Sequence, residues 1–182
     1  MIRIIDFLAA FFGLLLLWPV LVIVTIMGIF DTGSPIFVQV RVGRNKRPFK
    51  LIKFRTMPVE TKSVASHLAT NASITKLGSF LRKTKIDELP QLLNVLRGEM
   101  SLVGPRPNLF NQEELIRERD AKGVYDVLPG ITGLAQVQNI DMSTPKLLAQ
   151  TDKNMIDTLT INNYFKFIIL TATGSGSGDA VK

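Results

Sequence analysis

From Phe7 to Phe30 the chain runs twenty-four residues without a charge, and no other feature limits its fold as much. About 20 apolar residues suffice to carry a helix across the hydrocarbon core of a bilayer. A secretory leader is excluded, because its apolar core is shorter and ends in a small-residue cleavage site. Pro19, directly after Trp18, sits near the middle of the run. It removes one backbone hydrogen bond and pushes the preceding residue away from helix. Two outcomes stay open. One is a kinked spanning helix, which the residues alone favour. The other is a re-entrant hairpin, bent at Pro19, that returns both ends to one face.

The net charge of +7 lies entirely beyond this segment, since Arg3 and Asp6 cancel and residues 31–182 carry the excess. An apolar segment beside a basic domain points to an anionic membrane surface or to phosphorylated substrates. Nucleic acid would suit the charge but not the apolar run, so no nucleic-acid partner is expected. Without cysteine there is neither a disulfide nor a thiolate metal site. The length allows one modest domain with a real core. The turn cluster Asp31-Thr32-Gly33-Ser34-Pro35 sets the boundary. The expected division is a membrane helix at 1–30, a membrane-surface domain at 31–173 and a flexible Gly/Ser tail at 174–182.

Ile36 to Val42 is β-rich and reads as a short strand. Arg41, Arg44, Lys46, Arg47, Lys50, Lys53 and Arg55 follow with no acid among them. This stretch is either a solvated basic face or a phosphate-binding surface, for which Arg41, Lys53 and Arg55 are the candidates. Residues 58–77 are polar and read as loop with a short helix; His67 within them is assigned no chemical role. Asn111 to Lys122 is expected to be a solvated helix, with Glu113–Arg117 and Glu118–Lys122 as i,i+4 pairs and Gly123 ending it. Leu134 to Ile140 reads as a strand. Thr144-Pro145 opens a helix, with Pro at its first position. Ile161, Tyr164, Phe165, Ile168, Ile169 and Ala172 share a face in the last periodic segment, which either lies on a membrane or packs on the core. The expected fold is α/β, mainly helical with few short strands, with amphipathic interfacial helices.

Two motifs carry chemistry. In Ile86-Asp87-Glu88-Leu89-Pro90 the proline is harmless if a helix starts near Ile86, because the first four amides have no internal partner. Asp87 and Glu88 then lie in the first turn, where the helix dipole favours negative charge by about 0.3–1 kcal/mol. Such carboxylates can attack phosphorus or hold a hard cation. They are also ordinary helix punctuation. Downstream, Arg106 lies between Pro105 and Pro107. Two fixed φ angles hold it ready for an anion, and its guanidinium fork matches a phosphate in a bidentate way.

Together, Lys53-Phe54-Arg55-Thr56-Met57, Asp87-Glu88-Leu89-Pro90-Gln91, Ser101 to Pro107 and Pro129-Gly130-Ile131-Thr132-Gly133 resemble the bacterial sugar transferases called monotopic phosphoglycosyl transferases. The resemblance spans nearly the whole chain. It implies transfer of a sugar 1-phosphate from a UDP-sugar, of N-acetylhexosamine type, to polyprenol (undecaprenyl) phosphate, with release of UMP. This is the first membrane step of O-antigen, capsule or exopolysaccharide synthesis. It implies that Asp87 is the nucleophile that becomes phosphorylated, that Glu88 with Asp87 holds Mg²⁺, and that Arg106 contacts phosphate. It further marks Gln136 and Asp152 as candidate site residues. Finally it implies a hairpin broken at Pro19, membrane lipid as partner, and a monotopic location on the cytoplasmic face of the bacterial inner membrane. The sequence departs from the family at Trp18, at Gln138-Asn139-Ile140 and at Lys153-Asn154-Met155. The competing function class is a non-catalytic membrane-surface adaptor for anionic lipid. It accounts for the charge and the apolar run, but not for an Asp-Glu pair beside a proline-braced arginine.

Overall fold

The structure, a computed structural model, describes residues 2–61 and 74–173. The expectations for His67 and for the tail at 174–182 fall outside these residues. The charge-free run forms most of α1 (Ile2–Thr32), a single helix in which Pro19 is accommodated without a break. Its inward stripe is Asp6, Ala10, Val24 and Gly28. Ala10 and Leu14 pack with Phe49, Leu51, Leu92 and Val95, while Val20, Leu21 and Val24 pack with Phe54 and Leu81. Both halves of α1 therefore lie on the same domain, on either side of Pro19. At Gly28 a Cβ would come within 2.8 Å of Pro35 Cβ, so the lack of a side chain lets the chain turn back tightly under the helix. The opposite face is apolar and open: Phe12, Leu16, Trp18 and Phe30 are 59%, 78%, 59% and 86% exposed.

The start of α1 is fixed by polar contacts, which is why a carboxylate is tolerated there at 1% exposure. Asp6 Oδ1 accepts from Ser101 Oγ at 2.9 Å, from the Leu102 amide at 2.8 Å, and from the Tyr164 hydroxyl. Arg3 caps the end of the short helix Leu92–Leu96 through the Val95 and Leu96 carbonyls. Burial, then the Asp6 carboxylate, push the Tyr164 hydroxyl above its ordinary pKa.

Strands β1 (Ile36–Val42) and β2 (Pro48–Phe54) form an antiparallel hairpin. Polarity is inverted along much of β1, whereas β2 buries Phe49, Leu51 and Phe54 and exposes Lys50. Gln39, Arg41 and Lys53 point inward and are buried, while Ile36, Val38 and Val40 face out. Helix α2 (Lys76–Thr84) follows, capped by Thr75. Then come a 3-10 turn at Ile86–Gln91 and the short α3 (Leu92–Leu96), where a single helix was expected. The Leu stripe divides accordingly: Leu92 is buried and Leu93 is exposed. Asn94 of α3 completes the outer edge of β2 as a neighbouring strand would, accepting from the Ile52 amide at 3.1 Å and donating to the Lys50 carbonyl at 2.8 Å.

Strand β3 (Ser101–Val103) pairs in parallel with β4 (Gly130–Thr132). Gly104 and Gly130 make the crossing possible, since a Cβ on Gly130 would sit 2.0 Å from the Gly104 nitrogen. Two motifs far apart in sequence thus lie side by side. Helix α4 (Glu113–Asp120) is shorter than the expected span from Asn111 to Lys122, and its N-cap is Gln112. Leu134 to Ile140 is not a strand. Once past Gly133 the Val137 amide bonds back to the Gly133 carbonyl and that of Gln138 to Leu134, closing the helical turn α5 (Leu134–Val137). Helix α6 (Pro145–Asp157) begins at Pro145 as expected. The last helix, α7 (Ile161–Ala172), divides its apolar face: Tyr164 and Phe167 are buried, and Ile161, Phe165 and Ile169 are 42%, 46% and 60% exposed.

Candidate active site

Asn94 clamps α3 to β2 and so brings the preceding 3-10 turn against the inner side of the hairpin. Glu88 from that turn, Arg41 from β1, Lys53 from β2, and Arg106 line one narrow cleft, open to solvent. Arg106 Nη2 donates to Glu88 Oε1 at 3.0 Å, with the two side chains 23% and 8% exposed. Arg41 Nη1 donates to the Pro107 carbonyl at 3.1 Å, fixing the Pro-Arg-Pro loop to the hairpin. Three cations facing one carboxylate make a positive cleft suited to a diphosphate.

A second, buried network supports Arg106 from behind. Arg119 of α4 is 1% exposed. Its Nη1 donates to the Arg106 carbonyl at 2.8 Å and to Asn108 Oδ1 at 3.0 Å, and its Nε and Nη2 reach Asp152 Oδ2 of α6 at 2.9 and 2.7 Å. Tyr125 donates to the same Asn108 oxygen at 3.0 Å. Burial raises the Asp152 carboxyl above the ordinary range and the Arg119 charge opposes that rise. α4 was expected to be a solvated structural helix; Arg119 instead braces the site. The i,i+4 pairing pattern hid it, and its spacing in line with the buried Leu115 was the available signal.

The other sequence candidates fall in different places. Asp87 is 2% exposed and is not among the described residues that line the cleft, although its neighbour Glu88 is. Arg55 lies at the far end of β2, donating to the Ser34 and Ile36 carbonyls and stacking on Phe37. Gln136 lies in α5 and donates to the Ile131 carbonyl at 3.3 Å. Asp152 sits in the brace and Pro19 in α1. Lys85 was not singled out from the sequence. It takes a left-handed conformation, φ 59° and ψ 14°, just before the Asp-Glu pair. Burial draws its pKa below the ordinary lysine value, with Glu88 opposing and Arg106 assisting.

The donor set fits a magnesium ion shared with a substrate. Mg²⁺ prefers one or two carboxylates completed by phosphate oxygens and water over an all-protein cage. Asp87 and Glu88 supply two adjacent carboxylates, and the described residues hold no group of three or more acid, histidine or cysteine side chains placed for a metal, so substrate oxygens and water would have to complete the shell.

Comparison with known proteins identifies the family of the chain. The model of the family described as bacterial sugar transferase matches residues 1–176. The chain is 41% identical over 171 residues to an uncharacterized sugar transferase, EpsL, of Bacillus subtilis, covering 93% of this chain and 84% of that protein. It is 35% identical to the UDP-glucose:undecaprenyl-phosphate glucose-1-phosphate transferase of Caulobacter vibrioides, covering 93% and 67%. It is 43% identical to the UDP-galactose-lipid carrier transferase of Erwinia amylovora, covering 74% of this chain but only 32% of that protein. This chain belongs to the bacterial sugar transferase family and is a transferase enzyme.

Proposed function

We propose that the protein transfers a sugar 1-phosphate from a UDP-sugar to a polyprenol phosphate, releasing UMP, at the cytoplasmic surface of a bacterial inner membrane. The observation that carries this reading is the convergence of Arg41, Lys53 and Arg106 on Glu88 in one cleft beside the buried Asp87. The names of two relatives, a UDP-galactose-lipid carrier transferase and a UDP-glucose:undecaprenyl-phosphate glucose-1-phosphate transferase, support the substrate class. The donor proposed from the sequence is a UDP-N-acetylhexosamine.

In the proposed chemistry a carboxylate oxygen of Asp87 bonds to the β-phosphorus of the UDP-sugar. The bond from that phosphorus to the bridging oxygen breaks, and UMP leaves with the electron pair. A phosphate oxygen of the acceptor then attacks the same phosphorus, and the bond to Asp87 breaks, restoring the carboxylate. Arg106, Arg41 and Lys53 hold the diphosphate and stabilise its developing charge. Asp87 and Glu88 would hold Mg²⁺, which when bound neutralises charge on the diphosphate. The Glu88–Arg106 contact keeps the arginine aimed into the cleft until a phosphate takes its place.

Membrane attachment follows from α1. A helix that crossed the bilayer would carry one half away from a domain on one side, whereas both halves of α1 pack on this domain. The open apolar face of α1, with the outward stripe of α7, is proposed to sit in the lipid, both ends of α1 staying on the cytoplasmic side. A bend at Pro19 in lipid, the hairpin that the family resemblance implies, is part of this proposal. The test is a screen for UMP release over UDP-glucose, UDP-galactose and UDP-N-acetylhexosamines, with Mg²⁺ and undecaprenyl phosphate. Release of UMP supports the reading. Release of UDP would mean transfer of the sugar alone and would contradict it.

A further inference from the structure

A second cavity adjoins the catalytic cleft. It is a groove of about 280 Å³, with mostly apolar walls, between the 3-10 turn and α7. Leu89, Leu92, Leu102, Ile131 and Ile168 form its sides, and Glu88 and Ile131 are shared with the cationic cleft. Polar and apolar compartments therefore meet at the Glu88 carboxylate. Lys85 and Thr84 also line the groove. The Lys85 ammonium donates to the Thr171 carbonyl of α7 at 3.3 Å, so it bridges the two sides. Lys85 is held there by a left-handed backbone that costs a side-chain-bearing residue about 1 kcal/mol. The other side of the groove, α7, presents the exposed stripe Ile161, Phe165 and Ile169, which sets the groove beside an apolar surface.

We propose that this groove takes the first isoprene units of the polyprenol phosphate acceptor, with the Lys85 ammonium ion-paired to the acceptor phosphate beside Glu88. The proposal rests on the transfer function above and adds where the lipid substrate binds. Three features commit the groove to this occupant. It is continuous with the cleft where the phosphates must meet. It is apolar along its length and cationic at one margin, which matches a branched hydrocarbon ending in a phosphate. Its α7 wall belongs to the helix whose outer face is apolar and open. A soluble nucleotide would leave the apolar walls wet, and a neutral lipid would make no use of the ammonium at the groove's margin.

The test uses the full chain in lipid nanodiscs. A diazirine-bearing isoprenyl phosphate should label peptides containing Leu89, Leu102 or Ile168, and undecaprenyl phosphate should suppress the labelling where inorganic phosphate does not. Ile168→Gln should reduce it. Lys85→Gly retains the left-handed backbone without strain and removes the charge. It should raise the KM for undecaprenyl phosphate about tenfold, as expected for losing a charged hydrogen bond, and leave the KM for the UDP-sugar within about twofold. Lys85→Arg should restore most of the acceptor affinity. Labelling confined to the outward face of α1, or an unchanged acceptor KM in Lys85→Gly, overturns the proposal. So does a parallel rise in both KM values. If wild type releases no UMP from any UDP-sugar the transfer function fails, and the labelling pattern still decides the groove.

Discussion

Arg119 Nη1 donates a 2.8 Å hydrogen bond to the backbone carbonyl of Arg106, so an arginine that faces the cleft is held in place by another that does not line it. The prolines on either side limit the backbone of Arg106, and the brace fixes where that rigid unit sits. Because Arg119 is also paired with Asp152 inside the protein, the cleft's geometry depends on an ion pair between two helices.

Removing one member of a buried pair leaves the other charge uncompensated, at a cost of about 3–5 kcal/mol. Asp152→Ala should therefore lower folding stability by about that amount, measured by denaturant unfolding in detergent. By contrast, an exposed pair such as Lys46 with Asp120 should contribute at most about 1 kcal/mol. Equal effects for Asp152→Ala and Asp120→Ala would refute the brace.

Arg106→Lys retains the charge but replaces a planar fork with a point donor. If Arg106 grips phosphate through two hydrogen bonds, kcat/KM for the UDP-sugar should fall by about tenfold or more, since each bond to a charged group contributes about 1.5–3 kcal/mol. Activity within about twofold of wild type would remove the bidentate role.

Tyr164→Phe deletes one of the donors to Asp6 while leaving Ser101 and the Leu102 amide in place. A loss of about 1.5–3 kcal/mol in stability is expected, as for a hydrogen bond to a charged partner. The measurement is the shift of the unfolding midpoint, and no shift would show that α1 docks without this contact.

The placement of α1 gives a topological outcome. Because both halves pack on one domain, cysteines introduced at Ile2 and Ser34 should react with an impermeant maleimide only in inside-out vesicles. Reaction of the two from opposite faces would mean a spanning helix.

Much of this was legible before the structure, and the exceptions have a common cause. The charge-free run gave α1, β-rich composition gave β1, and Thr144-Pro145 gave the start of α6, all from local signals. The basic run left a solvated face and a phosphate-binding surface both open, and only the folded hairpin sorts Arg41 and Lys53 inward from Arg44, Lys46, Arg47 and Lys50, which stay exposed. Arg119 was missed because its partners lie 13 and 33 residues away, beyond any periodicity. Leu134 to Ile140 was expected to be a strand, yet Leu134, Val137 and Ile140 are spaced by three, and past Gly133 the chain closes into the helical turn α5. The pairing of β3 with β4 rests on glycines that approach only in three dimensions.

The proposed covalent step is tested most directly without the acceptor. Wild-type protein incubated with a UDP-sugar labelled in the sugar, with Mg²⁺ but no polyprenol phosphate, should release UMP in a burst and retain label. Mass spectrometry should place the sugar phosphate on Asp87, and Asp87→Asn should show neither burst nor adduct. UMP appearing only when both substrates are present, with no adduct trapped and with Asp87→Asn turning over at near wild-type rate, would contradict the account and favour a direct displacement.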